Sequence, residues 1–514
     1  MTHTYHGDID ESEDTLTTYA RDISVFRVQP KRVYYPKNLT DVQALVELCN
    51  EDREHGGTAS IAPRAGGTCM SGGSLTPEWI LDMTRYMSNI IINPETQTAE
   101  VEMGAYFRDI EDAARVHGLM FASYPSSHRI CGIGGMIGNN ASGEKSLRHG
   151  PTSANVLSLE MVLADGSVTT LTPKEVAQVR EPRERVLLEL SQKHQASLSL
   201  ATGEVPKAAS GYRLEKILHD STFSEIPLIV GAQGTLGIVT KAVLKLVPIP
   251  ENLDLLLISA QSLTDIPDII NTVRTHNPEG LETFDINTYK KAEEFLSEHT
   301  TVVAPFLDLS SHLFILAQFS ENTAEMTREK RVACEKELKE KGYFVHHSTD
   351  ENVVGSAWEI RRHSFLLMRD YNPEGHRAVP CIEDVIVPFS KLDTFIGELN
   401  TILTRRHINY GFHGHIGDGS LRIVPVFDFH SPTLLEDILG LTKEVFVLVK
   451  RLKGNMSADH SDGIIRTPFL KDFYGETLFS VFEEIKRIYD PKNIFNPNKK
   501  VGGDVFHIDT YLDR

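Results

Sequence analysis

Three long glycine-rich stretches in the first half of the chain constrain its fold more than any other feature. They are Arg64–Ser74 (RAGGTCMSGGS), Cys131–Gly143 (CGIGGMIGNNASG) and Gly231–Thr240 (GAQGTLGIVT). Successive glycines let backbone N–H groups converge on one point, because no Cβ atom stands between them. One such stretch is as often an ordinary turn as a phosphate site. Three of them within one lobe predict a single large phosphate-bearing cofactor that touches all three.

The spacing within these stretches argues against two common nucleotide sites. No Gly-Lys-Ser or Gly-Lys-Thr follows the first stretch, so it is not a P-loop. The second stretch misses the Gly-x-Gly-x-x-Gly spacing by one residue, which disfavours a nicotinamide-binding Rossmann site.

Composition narrows the classes of partner. The 514 residues carry a formal net charge of −19 at pH 7, which opposes binding to nucleic acid and to anionic lipid. The five cysteines are scattered, which argues against a disulfide framework or an iron–sulfur cluster in this chain and favours a reducing compartment. No secretory signal is visible, and the apolar runs are far shorter than the ~20 residues of a membrane span. We expect a cytoplasmic protein that meets a membrane only through a partner.

Hydrophobic periodicity divides the chain into four segments. After an N-terminal extension at 1–25, short apolar runs alternate with amphipathic helices over 26–248 and predict an α/β lobe. The pattern changes over 249–453 to strand and helix units of the α+β kind, which predicts a second lobe. Residues 454–514 form a short segment that returns to the first lobe.

Seven motifs in a fixed order resemble a known family. The chain is similar to the FAD-linked oxidases of the vanillyl-alcohol oxidase type, and within them to the D-lactate, glycolate and D-2-hydroxyglutarate dehydrogenase branch. The resemblance covers about residues 25 to 500. The motifs are PRAGGTCMSGGS, IGGMIGNNASGEKSLRHG, GYRLEKIL, GAQGTLGIVTKAVLKLVP, GHIGDGS, SADHSDG and YDPKNIFNPNK.

The resemblance implies an α+β protein with a two-subdomain FAD-binding PCMH-type fold, an α+β cap domain over the flavin ring and a short C-terminal return. It also implies non-covalent FAD, with His149 as a packing or hydrogen-bonding residue. The pyrophosphate would lie beside Arg64 on Gly66, Gly67, Thr68, Ser71 and Gly72. The ribityl chain and the ring would pass Pro125, Gly134, Gly135, Asn140, Ala141 and Gly143, with Ile238 and Val239 on the adenine side and Asn496 near the ring.

The resemblance also implies roles for two side chains in the oxidation of a 2-hydroxyacid. Arg361 matches the arginine that clamps the substrate carboxylate, and its planar guanidinium suits that task. His460 matches the general base that removes the hydroxyl proton, because imidazole accepts a proton near neutral pH. Read without the family, Arg361 would be a surface ion pair and His460 a capping or core histidine.

A metal centre of the family's kind lacks one ligand here. Metal-dependent relatives use two histidines and a glutamate, and the matching positions in this chain are His415, Arg422 and Asp459. Arginine stays protonated and cannot bind a metal. We therefore predict no metal, and we expect Arg422, beside His415, to serve as a fixed positive charge for the substrate.

These observations predict an FAD-dependent dehydrogenase of a small D-2-hydroxyacid. Its expected partners are the 2-hydroxyacid, a separate iron–sulfur or other electron-acceptor protein, and a second copy in a homodimer. Two alternatives remain open. One is a flavin-dependent transferase of the alkyl-dihydroxyacetone-phosphate synthase type, which makes no net redox change, and the other is an FAD-binding subunit of a larger complex.

Overall fold

The computed structural model describes residues 3–514. Residues 3–25 are part of the first lobe rather than a separate extension. The strand Asp8–Asp10 pairs antiparallel with Arg32–Tyr35, and the Tyr19 hydroxyl donates a hydrogen bond to Asp82 in the same sheet. The predicted boundary at residue 25 therefore does not separate two packing units.

Two sheets form the centre of the first lobe. The four-stranded sheet has the order Asp8–Asp10, Arg32–Tyr35, Trp79–Asp82 and Ile61–Arg64. The five-stranded sheet has the order Ile90–Asn93, Thr98–Glu102, Ile238–Lys245, Val156–Val162 and Val168–Leu171.

The remaining elements of this lobe surround those sheets. Two small sheets pair Lys174–Glu175 with Thr222–Phe223 and Leu218–His219, and Val247–Pro248 with Leu119–Met120. The helix Leu39–Glu54 has a side-chain cap at its N-terminus. The Asn38 side chain accepts a hydrogen bond from the Asp41 N–H. The helices are Glu13–Tyr19, Leu39–Glu54, Phe107–Arg115, Ile133–Asn139, Ser146–His149, Pro182–Thr202 and Ile226–Ile229.

The second lobe is built on one large sheet, which we call the cap sheet. Its order is Phe344–Ser348, Leu253–Ala260, Leu313–Ser320, Gly280–Asp285, Asn409–Gly414, Ser420–Asp428 and His376–Ala378, and Val385–Ile386 also pairs with Ser420–Asp428. Neighbouring strands are antiparallel throughout, which confirms the predicted α+β class.

Helices cover both faces of the cap sheet, because its central strands are apolar on both sides. Leu257 and Leu316 pack with Trp358 on one face. The alternate residues Ile258 and Ile315 belong to the main core on the other face. The helices of this lobe are Ile266–Thr275, Ile286–Phe295, Ser297–Val303, Ala324–Glu340, Glu351–Asp370, Leu392–Arg405 and Leu434–Arg451.

The last segment returns to the first lobe, as predicted. The Ile61 N–H donates to the Ile494 carbonyl at 2.7 Å, and the Asn496 N–H donates to the Ile61 carbonyl at 2.9 Å. Its helices are Gly463–Arg466, Leu470–Tyr474, Glu476–Tyr489 and Val505–Tyr511. Within residues 3–514, no helix combines the length and the apolar character needed to cross a membrane.

Buried ion pairs join the two lobes. Lys145 Nζ lies 3.1 Å from Glu279 Oε2, and Lys207 Nζ lies 3.0 Å from Asp418 Oδ2. All four side chains are almost fully buried, so each charge depends on its partner across the boundary. These ion pairs fix the position of one lobe relative to the other, and the candidate functional residues lie where the two lobes meet.

Candidate functional site

The three glycine-rich stretches converge on one groove in the first lobe. We call this the glycine groove. It is lined by Arg64, Gly66, Gly67 and Thr68 from the first stretch, Gly134, Gly135 and Gly138 from the second, and Gln233, Gly234 and Val239 from the third. A single elongated ligand in this groove would touch all three stretches.

The backbone of the groove fits a phosphate-bearing cofactor. The N–H groups of Gly66, Gly67 and Thr68 donate to no other part of the chain that the structure describes, so they are free for phosphate oxygens. A Cβ atom at Gly135 would meet only Ala65 Cβ at 3.9 Å, and one at Gly138 only Gln233 Cα at 3.8 Å. The space beside both glycines therefore belongs to the groove and can accept a flat ring system.

Six of the predicted cofactor residues lie behind the groove wall rather than on its surface. Ser71 donates its hydroxyl to the His460 carbonyl at 3.2 Å. Asn496 donates to the Gly73 and Gln233 carbonyls at 2.7 Å each. The six residues are Ser71, Gly72, Asn140, Gly143, Ile238 and Asn496. The side chains of Ser71 and Asn496 hold the loops in shape. A sequence motif cannot show whether such a residue supports a loop or contacts a ligand.

Close packing explains the glycine at position 143. A Cβ atom there would lie 1.7 Å from the Tyr124 carbonyl oxygen, so only glycine fits. His149 is not part of the groove lining, and its Nε2 lies 3.8 Å from Glu279 Oε1.

A second cavity, of about 330 Å³, opens at the end of the groove and shares Thr68, Gly135 and Asn139 with it. We call this the basic cavity. Pro125 and Ala141 also line it, and its ionisable lining is Arg129, Arg361, Arg362, Arg422, His128, His363, His413 and His460, opposed by Glu359 and Asp459. Arg361 pairs with Glu282 and Arg362 with Glu144 behind this wall, so the lining favours a small anionic ligand through its exposed guanidinium donors rather than through a large excess of charge.

A hairpin of the cap sheet presents one wall of the basic cavity. The strands Asn409–Gly414 and Ser420–Asp428 pair so that His413 lies directly opposite Arg422. The tight connection needs Gly419 at φ +80°, where a Cβ would lie 2.5 Å from the Val387 carbonyl oxygen. His415 directly follows the last residue of the first strand, Gly414, two positions after His413.

Arg422 lies at the centre of the candidate site. Its Nη2 is 2.9 Å from His415 Nε2, and 2.8 and 3.0 Å from the two carboxylate oxygens of Asp459. Its Nη1 is 2.8 Å from His460 Nε2. Because a guanidinium has only donors, both imidazoles accept through Nε2 and are neutral in this arrangement.

Charge and burial set the ionisation states around Arg422. Burial favours the neutral form of Asp459, but Arg422 and Lys207 outweigh it and hold the pKa of this carboxyl well below its ordinary value. Burial, Lys207 and Arg422 together lower the pKa of His415 well below its ordinary value. The resting site is therefore an arginine–aspartate ion pair flanked by a neutral His415.

His460 is arranged as a proton acceptor. Its Nδ1 lies 2.8 and 3.0 Å from the two carboxylate oxygens of Glu383, so the ring proton is on Nδ1 and the lone pair of Nε2 faces Arg422. Burial disfavours the imidazolium form, but Glu383 outweighs it and raises the pKa of His460. Arg466 Nη2 holds Glu383 in place at 2.7 Å.

Glu282 connects Arg361 to His415. Arg361 donates through Nε at 3.0 Å and Nη2 at 2.6 Å to Glu282 Oε2, and His415 Nδ1 lies 2.6 Å from Glu282 Oε1. Burial raises the pKa of Glu282 to about 7. The predicted residues Arg361, His415, Arg422 and His460 thus lie in one hydrogen-bonded cluster, although His415 is beneath the cavity surface rather than in its lining.

Sequence reasoning missed three buried residues that support this cluster: Lys207, Glu282 and Arg466. Lys207 Nζ donates to Ser142 Oγ at 2.6 Å and lies 3.7 Å from Asp459. The sequence around it, VPKAASGYR, gives only the weak signal of a lysine among small and apolar residues. The hydrogen-bond partners of Lys207, Glu282 and Arg466 are distant in sequence, so no local pattern identifies these three residues.

The donors at this centre do not fit a metal ion. The guanidinium of Arg422 lies within hydrogen-bonding distance of both His415 and Asp459, the two matching ligand positions, and adds a permanent positive charge. The ligand atoms of Glu383, Asp384 and His460 lie within 4.8 Å of one another. However, Asp384 accepts the backbone N–H groups of Asp459 and His460, and Glu383 pairs with Arg466.

We predict that Gly135→Val and Gly138→Val each remove most of the bound flavin, because the new side chains fill the groove while their Cβ atoms make only ordinary van der Waals contacts with the protein. The thermal unfolding temperature of the flavin-free variants should change by only a few degrees. Visible flavin absorbance per purified chain measures the effect. Gly397→Val, on an open helix surface, is the matched control. Full flavin content in both groove variants would contradict the assignment of the groove.

Similarity to known proteins supports the assignment of the glycine groove to FAD. Residues 30–172 match the family described as FAD binding domain, and residues 249–500 match the family described as FAD linked oxidases, C-terminal domain. The chain is 27% identical over 520 residues to D-2-hydroxyglutarate dehydrogenase of Pseudomonas putida, covering 96% of this chain and 50% of that protein. The chain therefore spans about half the length of this and three other curated relatives.

Another relative matches over nearly its full length. The glycolate oxidase subunit GlcD of Bacillus subtilis is 26% identical over 500 residues, covering 96% of this chain and 94% of that protein. The fold is similar to that of 4-ethylphenol oxidase from Gulosibacter chungangensis, with a TM-score of 0.71 at 17% identity over 96% of this chain and 94% of the other. This likeness confirms the predicted PCMH-type fold. The chain belongs to the FAD-linked oxidases, with an FAD-binding domain followed by the C-terminal domain of that family, and FAD is its cofactor.

Proposed function

We propose that this protein oxidises a small D-2-hydroxyacid to the corresponding 2-oxoacid. The observation that carries the proposal is the basic cavity at the end of the glycine groove, where His460, backed by Glu383, lies beside Arg422. The printed names of the relatives, D-2-hydroxyglutarate dehydrogenase and glycolate oxidase subunit, support the same class of substrate.

His460 is the proposed general base. Its Nε2 lone pair accepts from Arg422 Nη1 at 2.8 Å, and a substrate hydroxyl would displace this bond. The hydroxyl oxygen could then accept from the arginine and give its proton to Nε2 of the histidine. Glu383 then stabilises the imidazolium that forms, in the way that a carboxylate orients and supports a catalytic histidine elsewhere.

Arg422 is the proposed stabiliser of the oxygen that loses its proton. Negative charge grows on that oxygen, and a fixed buried cation beside it lowers the energy of the transition state. Arg422 keeps its charge, because Asp459, Asp384 and Glu383 outweigh burial and raise the pKa of its guanidinium. Arg422 would thereby stabilise the negative charge on the substrate oxygen, as a divalent metal could at this position.

Arg361 is the proposed anchor for the substrate carboxylate. Glu282 fixes its guanidinium through Nε and Nη2, and no partner of Nη1 lies within the described residues. A carboxylate held there would fix the Cα hydrogen relative to the groove. Bound FAD supplies the acceptor for the hydride that leaves Cα when the hydroxyl proton passes to His460.

Electrons then pass from the reduced enzyme to a separate acceptor, which we propose is an iron–sulfur protein or another carrier protein. The word subunit in the name of the relative from Bacillus subtilis supports a partner of this kind. Non-covalent attachment of FAD, a homodimer and a cytoplasmic location remain predictions.

Anaerobic mixing with a panel of D-2-hydroxyacids tests the proposed reaction. We expect at least one of D-lactate, glycolate and D-2-hydroxyglutarate to bleach the flavin absorbance fully and to yield one equivalent of 2-oxoacid. L-Lactate and L-2-hydroxyglutarate serve as controls for the two chiral acids. No bleaching by any hydroxyacid would sink the proposal and favour the non-redox transferase or the FAD-binding subunit.

We predict that Arg422→His creates a metal site where the wild-type protein has none. Two imidazoles and the Asp459 carboxylate would then replace the guanidinium, and such a set binds Zn²⁺. Without metal, this variant should lose about 10²- to 10³-fold in kcat, as expected for removal of one charge-stabilising donor. Metal analysis after dialysis measures the gain, and His415→Ala combined with Arg422→His should abolish it. Stoichiometric zinc in the wild type, lost together with activity on chelation, would refute the role of Arg422.

The pH dependence of the reaction should report the Glu383–His460 pair. The base must be unprotonated, so kcat/KM rises with pH through the pKa of His460, which Glu383 raises. Glu383→Gln removes that charge, and we expect the rising limb to move to lower pH by about one unit or more. Glu398→Gln, at a surface pair with Arg451, is the control. An unmoved limb in a folded, flavin-loaded Glu383→Gln protein would exclude His460 as the titrating base.

A further inference from the structure

His413 is a buried residue of the basic cavity that has no role in the proposed oxidation of a hydroxyacid. Its side chain lines the cavity and is 2% exposed. Within residues 3–514 neither ring nitrogen has a hydrogen-bond partner, and Nδ1 is fully buried. A buried polar atom without a partner destabilises the folded state. Nδ1 is enclosed by the protein, so Nε2 is the ring nitrogen that a ligand in the cavity can reach, and an acceptor placed there would give the ring a partner.

The surroundings of His413 determine what it can offer to a ligand. It lies directly opposite Arg422 in the hairpin, so the two side chains share one face of the cap sheet. Burial, Arg361 and Arg422 lower the pKa of His413 well below its ordinary value. The ring is therefore neutral and carries one N–H donor and one lone pair, and it cannot compete with His460 as the base.

One of the two arginines beside His413 has an unused donor that a ligand can reach. Arg361 donates through Nε and Nη2 to Glu282, which leaves Nη1 without a partner in the described part of the chain. Arg422 Nε is also unpaired among residues 3–514, but it is fully buried and out of reach of a ligand. Arg361 Nη1 and His413 Nε2 are therefore two spare donors in the wall of one cavity, and they are complementary to a group that only accepts. A carboxylate is such a group, with two oxygens and about four acceptor positions.

We propose that His413 is a substrate-binding residue whose Nε2 N–H donates to the carboxylate of the hydroxyacid, next to Arg361. This assignment rests on the proposed function and extends it, because it adds a second donor to the carboxylate site and gives His413 a part in specificity. A 2-hydroxyacid would satisfy His413, whereas a simple alcohol would leave it unpaired. Discrimination of this kind arises from polar groups that the wrong ligand leaves without partners.

His413→Phe tests the assignment, because it keeps a ring of similar size and removes both nitrogens. With the flavin-loaded enzyme we expect KM for the hydroxyacid to rise about tenfold or more, with kcat within a few-fold and the pH limb of kcat/KM unmoved. Calorimetric titration with oxalate, an unreactive carboxylate, should show a similar rise in Kd. His413→Gln, which restores an amide N–H, should recover part of both losses.

His346→Phe is the matched control, since that histidine is exposed on the edge strand of the same sheet. Equal oxalate affinity in wild type and His413→Phe would overturn the assignment, as would wild-type protein that binds no oxalate. A fall in kcat with unchanged KM and unchanged oxalate affinity would also overturn it. These outcomes are separate from failure of the proposed reaction, which would appear as no flavin bleaching by any hydroxyacid while oxalate binding still depends on His413.

Discussion

The buried positive charge of Arg422 is the constraint on which the rest of the candidate site depends. A guanidinium that is almost fully buried is tolerated only when anions and acceptors surround it, because the uncompensated charge would cost several kcal/mol. Asp459 supplies the anion, and His415 and His460 supply neutral acceptors. The arginine thereby favours the ionised form of Asp459 and the neutral form of both imidazoles, so it influences the acid–base properties of the whole cluster.

A second layer of residues fixes those states in turn. Glu282 holds the proton of His415 on Nδ1, and Glu383 does the same for His460. The two pairs differ in their consequence. His415 is fully enclosed near Lys207 and stays neutral, whereas the charge of Glu383 favours proton uptake by His460. One histidine is thus held neutral and the other can take up a proton, although both contact the same guanidinium.

The two lobes contribute different chemistry to the site. The first lobe offers backbone N–H groups and open space along the glycine groove, which suits a cofactor that is held along its length. The cap sheet and the helix Glu351–Asp370 offer charged side chains, which suits a small anion. Since the chain carries a net charge of −19, the basic cavity stands out electrostatically and favours entry of anions at this point.

The sequence by itself determined the cofactor and the fold class through the family resemblance, and it named four residues that the structure brings into one cluster. Glycine stretches and short motifs carry this information locally, because the need for a Cβ-free backbone restricts residue type at fixed spacing. Only the tertiary structure decided which motif residues face the glycine groove: Ser71 and Asn496 belong to conspicuous motifs, yet their side chains bind the protein itself. It alone also revealed Lys207, Glu282 and the unpaired His413. Their roles come from partners far away in the chain, and burial of charge is a property of the packed molecule that no local pattern records.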